Sequence, residues 1–182
     1  MEKTKFVQDL ERMLYKFNID RDFSEIVILC IGTDKLIGDC VGPMVGQKLI
    51  NDWQSKNNDN IKKKEIVILG NMERTLNYKN AENIIKQVNK NCNMPFIIAI
   101  DTALSKISTT QKIYVNNGSL TIGNSLGRKL LFKSHINIKC VVGECKNTPK
   151  ENIKVLKDVH PELVEQLSDI VAYGINKTMK KI

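Results

Sequence analysis

Three short apolar runs constrain this chain more than any other feature: EIVILCIG at 25–32, EIVILG at 65–70 and MPFIIAID at 94–101. Each is too short for a confident helix and rich in β-branched residues. Continuous apolarity, in place of alternation, marks strands buried on both faces. Helix-period segments separate them. Val45, Leu49, Ile50 and Trp53 recur on one face of MVGQKLINDWQS, with Pro43 suited to a first helical turn, and Ala81, Ile84, Ile85 and Val88 recur in 79–91. A further helix is expected over 4–17, where Phe6, Val7, Leu10, Met13, Leu14 and Phe17 share a face.

Two more strands are expected at QKIYV (111–115) and INIKCVVG (136–143). From Pro149 to Lys181 the chain reads as one or two helices with Val164, Leu167, Ile170, Val171 and Ile175 inward. Buried strands alternating with helices require a mostly parallel sheet covered on both sides, an α/β three-layer αβα sandwich. The expected strand order is 2-1-3-4-5. The 182 residues, 42% hydrophobic, suit a single domain over 1–182.

Charge and cysteine usage narrow the partners. The formal charge is +8, but the longest basic run is Lys62-Lys63-Lys64, amid Asn and Asp, and aromatic residues are only 5%. Nucleic-acid grooves interleave aromatics with clustered charge, so no nucleic-acid partner is expected. No stretch of 18 apolar residues and no signal-peptide core appears, so neither a membrane role nor secretion is expected. Five cysteines without a C-x-x-C pair fit a reducing, cytoplasmic setting.

In an open α/β sheet the ligand crevice lies beyond the carboxyl ends of the strands, where connections diverge to opposite faces. Here that point falls between the first and third strands. The first is followed by IGTDKLIGDCVGP (31–43), and the third is expected to end on Asp101. Asp39 and Asp101, sixty-two positions apart, should therefore meet in one crevice. Each also has a plainer reading. Asp39 suits a helix start, where its carboxylate faces the positive end of the dipole, and Asp101 suits a strand end.

As a pair they suit general acid–base work. The dipole would keep Asp39 ionised, while apolar surroundings and a neighbouring charge would raise the proton affinity of Asp101. The same pair could instead hold a divalent metal. Asp34 reads as a turn former, and Cys40 lacks a basic partner to act as nucleophile. His135, Cys140 and Cys145 match no zinc spacing. Residues 116–130, NNGSLTIGNSLGRKL, have a P-loop-like spacing from Gly118 to Gly123. Ser125 fits the Ser/Thr position, but Asn124 stands where the Lys is needed, which disfavours a nucleotide. The loop is either a turn with positive φ or a source of backbone amides for a substrate carbonyl.

These residues resemble those of the YyaC-type sporulation protein family, described as spore proteases. More distantly they resemble the germination protease of spores and the HybD-type hydrogenase maturation proteases. Gly32, Asp39, Gly42 and Pro43 in the first loop, FIIAIDTAL around Asp101, and GSLTIGN carry the resemblance. For the YyaC type it runs from Glu25 to about Tyr173.

The resemblance implies a phosphorylase/hydrolase-like fold, with Asp39 and Asp101 in the places of the germination protease's two essential aspartates. In the maturation proteases the matching carboxylates bind the metal of the client enzyme together with a histidine, and neither His135 nor His160 matches that third ligand. No cofactor is therefore expected. The expected function is peptide-bond hydrolysis during sporulation, in the cytoplasm of the mother cell or forespore or in the spore core. Its substrate would be a peptide or protein, small acid-soluble spore proteins among the candidates. Gly32, Thr33, Gly38, Gly42, Gly118, Gly123 and Asn124 are the expected substrate-binding positions. A non-catalytic sporulation factor holding a peptide in the same crevice is the alternative.

Overall fold

In a computed structural model, residues 2–54, 64–106, 112–123, 127 and 129–182 are described. Helices α1 (Glu2–Lys16) and α2 (Ile19–Asp22) lead into β1 (Glu25–Cys30), followed by a 3₁₀ turn at Ile37–Asp39 and by α3 (Val41–Gln54). Then come β2 (Glu65–Leu69), α4 (Ala81–Asn91), β3 (Pro95–Ser105), β4 (Lys112–Asn117), β5 (Leu120–Ile122), β6 (Leu130–Phe132), β7 (Ile136–Glu144), α5 (Pro149–Lys157) and α6 (Pro161–Met179).

The main sheet runs β2-β1-β3-β7-β4, parallel except for β4. Counting only the five expected strands, the order is 2-1-3-5-4. The expected 2-1-3-4-5 is thus corrected at its far edge. Lys112–Asn117 alternates polar and apolar residues, as suits an antiparallel edge strand with one wet face. The switch point between the first and third strands is unaffected. A second, two-stranded sheet, β5-β6, was not expected; each strand has three residues and shows no periodicity.

Alternation sorts the strand residues onto two cores. Ile26, Ile28, Cys30, Phe96, Ile98, Ile100, Ile138 and Cys140 face α1, α3 and α6. Val27, Leu29, Ile31 and Ala99 face α4 and the β5–β6 ribbon. Side-chain bonds lock α3 to α6: the Lys48 ammonium reaches Glu165 and, at 2.8 Å, Asp169, and Trp53 Nε1 donates to Asn176 Oδ1. The result is the expected sandwich, with a mostly parallel sheet between helical layers.

Candidate functional site

The site forms where β1 and β3 part. Their ladder ends at Cys30 opposite Ile100, with a last bond from the Ile31 N–H to the Ile100 carbonyl at 2.8 Å. Beyond it the first chain swings away, and Gly32 donates to the Leu76 carbonyl at 2.8 Å. β3 continues to Ser105, held on its other side by β7 with one register shift between Ala103 and Leu104. Asp101 is therefore not the end of its strand, as the sequence suggested. It is the first residue after β1 stops, which exposes it to the crevice all the same.

Two glycines let the first loop fold tightly over this gap. Gly32 has φ +153°, and a Cβ on it would lie 2.1 Å from the Asp39 carbonyl oxygen, the same oxygen that accepts the Thr33 N–H at 3.1 Å. Gly42, in the first turn of α3, passes over the end of β1 so closely that a Cβ would lie 2.0 Å from the Ile31 oxygen. The helix start is thereby pressed onto the strand end, and Asp39 is carried to the crevice rim.

A cavity of about 420 Å³ occupies the crevice, and both aspartates line it. Gly32, Thr33 and Asp34 come from the first loop, Thr75, Asn77 and Tyr78 from the segment after β2, and Asp101 to Leu104 from β3. Thr121, Ile122 and Gly123 close the wall from the β5–β6 ribbon, with Lys139 from β7.

Of the expected substrate-binding positions, Gly32, Thr33 and Gly123 lie on this wall, and three others do not. Gly38 is wedged against Val159 and Leu156 on the far side of the 3₁₀ turn, and Gly42 is occupied by its contact with β1. Gly118 turns the chain with φ +91°, and its carbonyl accepts from Ser134 Oγ at 2.8 Å and Asn137 Nδ2 at 3.0 Å. Asn124 lies outside the described residues.

The electrostatics follow from the recess. Desolvation raises the Asp39 carboxyl from 3.8 to about 7, with a backbone hydrogen bond from Thr33 pulling the other way. This corrects the expectation that the helix dipole keeps Asp39 firmly ionised, because the loss of water outweighs the dipole. Burial also raises Asp101 well above its ordinary value, and the Asp39 charge raises it further. The Thr102 N–H, which donates to Asp101 Oδ1 at 2.9 Å, and the Lys139 ammonium oppose this.

Lys139 was missed by the sequence reading. It is in register with Asp101 on the neighbouring strand and so shares its face. Asn137 and Lys139, polar positions two apart in the otherwise apolar INIKCVVG, were the available signal: Lys139 lines the pocket, whereas Asn137 is buried and donates to the Gly118 carbonyl.

The remaining candidates have structural roles. Asp34 is a turn residue, reached by Thr33 Oγ1 at 3.4 Å. The Cys40 thiol donates to the Thr33 and Leu36 carbonyls, each at 3.3 Å, and burial followed by the Asp39 and Asp34 charges raises it, the reverse of what a nucleophile needs. His135 is at the opposite end of the sheet, where its Nδ1 accepts the Ile97 N–H at 2.9 Å between Phe17, Phe23 and Phe96. Among the described residues no three His, Cys, Asp or Glu side chains gather as metal ligands. No step is derived through a metal. No helix of the described residues is long and apolar enough to cross a membrane.

The chain is 25% identical over 153 residues to the uncharacterized protein YyaC of Bacillus subtilis (strain 168), covering 84% of this chain and 69% of that one. The [NiFe] hydrogenase maturation protease HycI from Thermococcus kodakarensis KOD1 superposes with a TM-score of 0.58 at 16% identity, over 94% of this chain and 98% of that one. That is a likeness of fold. The [NiFe] hydrogenase maturation protease HybD from Thermococcus kodakarensis aligns with a TM-score of 0.40 at 13% identity, over 81% and 96% of the two chains. A family model described as "Protein of unknown function (DUF1256)" matches residues 1–174, and the chain belongs to that family.

Proposed function

We propose that the chain is a peptidase-like hydrolase in which Asp39 and Asp101 work as a general base and a general acid. The observation that carries this reading is that both carboxyl groups open into one pocket where β1 and β3 diverge. With its carboxyl titrating at about 7, Asp39 is substantially ionised near neutral pH, and burial together with the Asp39 charge raises the proton affinity of Asp101, which suits it to the acid role. Asp39 takes a proton from water as the water oxygen attacks the carbonyl carbon of the scissile peptide. Asp101 then gives its proton to the departing amine nitrogen. Gly32, Thr33 and Gly123, which line the pocket, flank the peptide in this reading.

Resemblance to the YyaC type supports a setting in sporulation, in the cytoplasm of the mother cell or forespore or in the spore core. Small acid-soluble spore proteins are the first substrates to try. In the test, purified protein, Asp39→Asn and Asp101→Asn are incubated with these proteins and with unfolded polypeptides, and new amino termini are counted. The expected result is cleavage by the unaltered chain with a loss of at least about a hundredfold in each variant, the usual worth of a general acid or base. Cleavage by neither, or equal cleavage by all three, refutes the hydrolase reading.

A further inference from the structure

We propose that the pocket binds its polypeptide as an added β-strand, main chain to main chain, along the edge of β3 at Thr102–Leu104 that β1 leaves open. The inference rests on the hydrolase reading for its purpose, but its geometry stands apart from it. In a parallel sheet successive residues of a strand send their N–H and C=O groups alternately to the two neighbours. Ile100 bonds toward β1, since its carbonyl accepts from Ile31. Ser105 bonds toward the β7 side, since its carbonyl accepts from Cys145 at 2.7 Å. The register shift between Ala103 and Leu104 falls on β7, which skips Val142, so the alternation along β3 persists and Thr102 and Leu104 present their main-chain groups on the β1 side.

No strand among the described residues meets them there, because β1 pairs only as far as Ile100. The Thr102 N–H has turned to the Asp101 carboxyl, and among the described residues no turn or loop backbone bond reaches the Thr102 carbonyl or the main chain of Leu104. An open edge in a protein interior is a template for one kind of occupant, an extended backbone.

Two further observations agree. Residues 101 to 104 all line the cavity, so the open edge faces the pocket that the aspartates share. The cavity wall also carries Thr33, Thr75 and Asn77, whose hydroxyl and amide groups bond within their own turns and keep donors for a neutral backbone. A strand laid beside β3 would bring its peptide groups past Asp101 in register, so that pairing itself would place the scissile bond. The occupant is thus an unfolded or extended segment. A folded helix satisfies its own backbone and gains nothing from this edge.

The test uses ¹⁵N-labelled full-length Asp39→Asn protein, so that a bound chain is not cut, with an equimolar mixture of random octapeptides as probe. Pairing slows amide exchange at Leu104 at least tenfold, while the same octapeptides N-methylated at every backbone nitrogen leave it unchanged. Exchange at Leu104 that neither mixture slows overturns the proposal, as does slowing by both. In a second arm, Leu104→Pro deletes the edge donor and Leu104→Ala keeps it. By anisotropy with fluorescein-labelled octapeptides, the proline variant binds at least tenfold more weakly than the alanine variant; equal affinities overturn the proposal.

Circular dichroism checks folding of the proline variant, and if it does not fold, the exchange measurement decides alone. Octapeptides that pair with Leu104 but are never cut by the unaltered chain sink the hydrolase reading and leave the pairing standing. Equal cleavage by Leu104→Pro and Leu104→Ala does the opposite.

Discussion

Replacing Asp39 by Asn should make the protein more stable at alkaline pH. In an unfolded chain this carboxyl ionises near 3.8, whereas burial in the pocket wall moves it to about 7 in the folded one. Between those values the unfolded state releases a proton that the folded state retains. The folded-state value is raised, so the stabilising contribution is complete below about pH 4 and is lost as pH climbs through about 7. At about 1.4 kcal/mol per pH unit the ceiling on that loss is about 4 kcal/mol, and water at the pocket mouth reduces it to about 2 kcal/mol.

Asparagine keeps the shape and can still accept the Thr33 bond without carrying the charge. Asp39→Asn should therefore exceed the unaltered chain by about 2 kcal/mol near pH 8, a rise in Tm of about 4–8 °C for a domain of this size, and equal it near pH 4. Urea unfolding at both pH values, followed by circular dichroism, measures the difference. Had Asp39 been placed only to face a helix dipole, the same substitution would cost stability near pH 8, by up to about 1 kcal/mol. An Asp39→Asn protein less stable than the unaltered one at pH 8 would refute the pocket argument.

Gly42→Ala should destabilise the fold by at least about 2 kcal/mol, because its Cβ would lie 2.0 Å from the Ile31 oxygen and α3 would have to lift off β1; thermal unfolding reads this, and an unchanged Tm contradicts it. His135 should titrate below its ordinary 6.5, because burial penalises the imidazolium and Nδ1 is committed as acceptor to Ile97. Its stabilising contribution is thus full above about pH 6.5 and declines below it. An NMR midpoint at or above 6.5 would show that description of the aromatic cluster to be wrong.

What could be read from the sequence, and what could not, follows from how many constraints each residue obeys at once. β1, β2 and β3 were legible because both faces are covered, so every position carries the same apolar demand and the run needs no periodicity. The crevice was legible for a related reason: the order of the first three strands fixes where β1 and β3 diverge, and that alone brings residues 39 and 101 to one wall. Beyond β3 the demands weaken. β4 pairs on one side only and half of it is wet, so its six apolar-poor residues say little about direction, and the order of β4 and β7 was reversed. The β5–β6 ribbon buries Leu120, Ile122 and Phe132 but is too short for alternation to register, and so Gly118 and Gly123 read as one functional loop. They are two turns, of which the second reaches the pocket. The same reasoning explains Lys139. Polar residues inside central strands violate the pattern that made those strands recognisable, and such violations are tolerated where a cavity supplies solvent or a ligand. In an α/β chain of this kind the exceptions to strand apolarity should be read as an outline of the pocket before any loop motif is consulted.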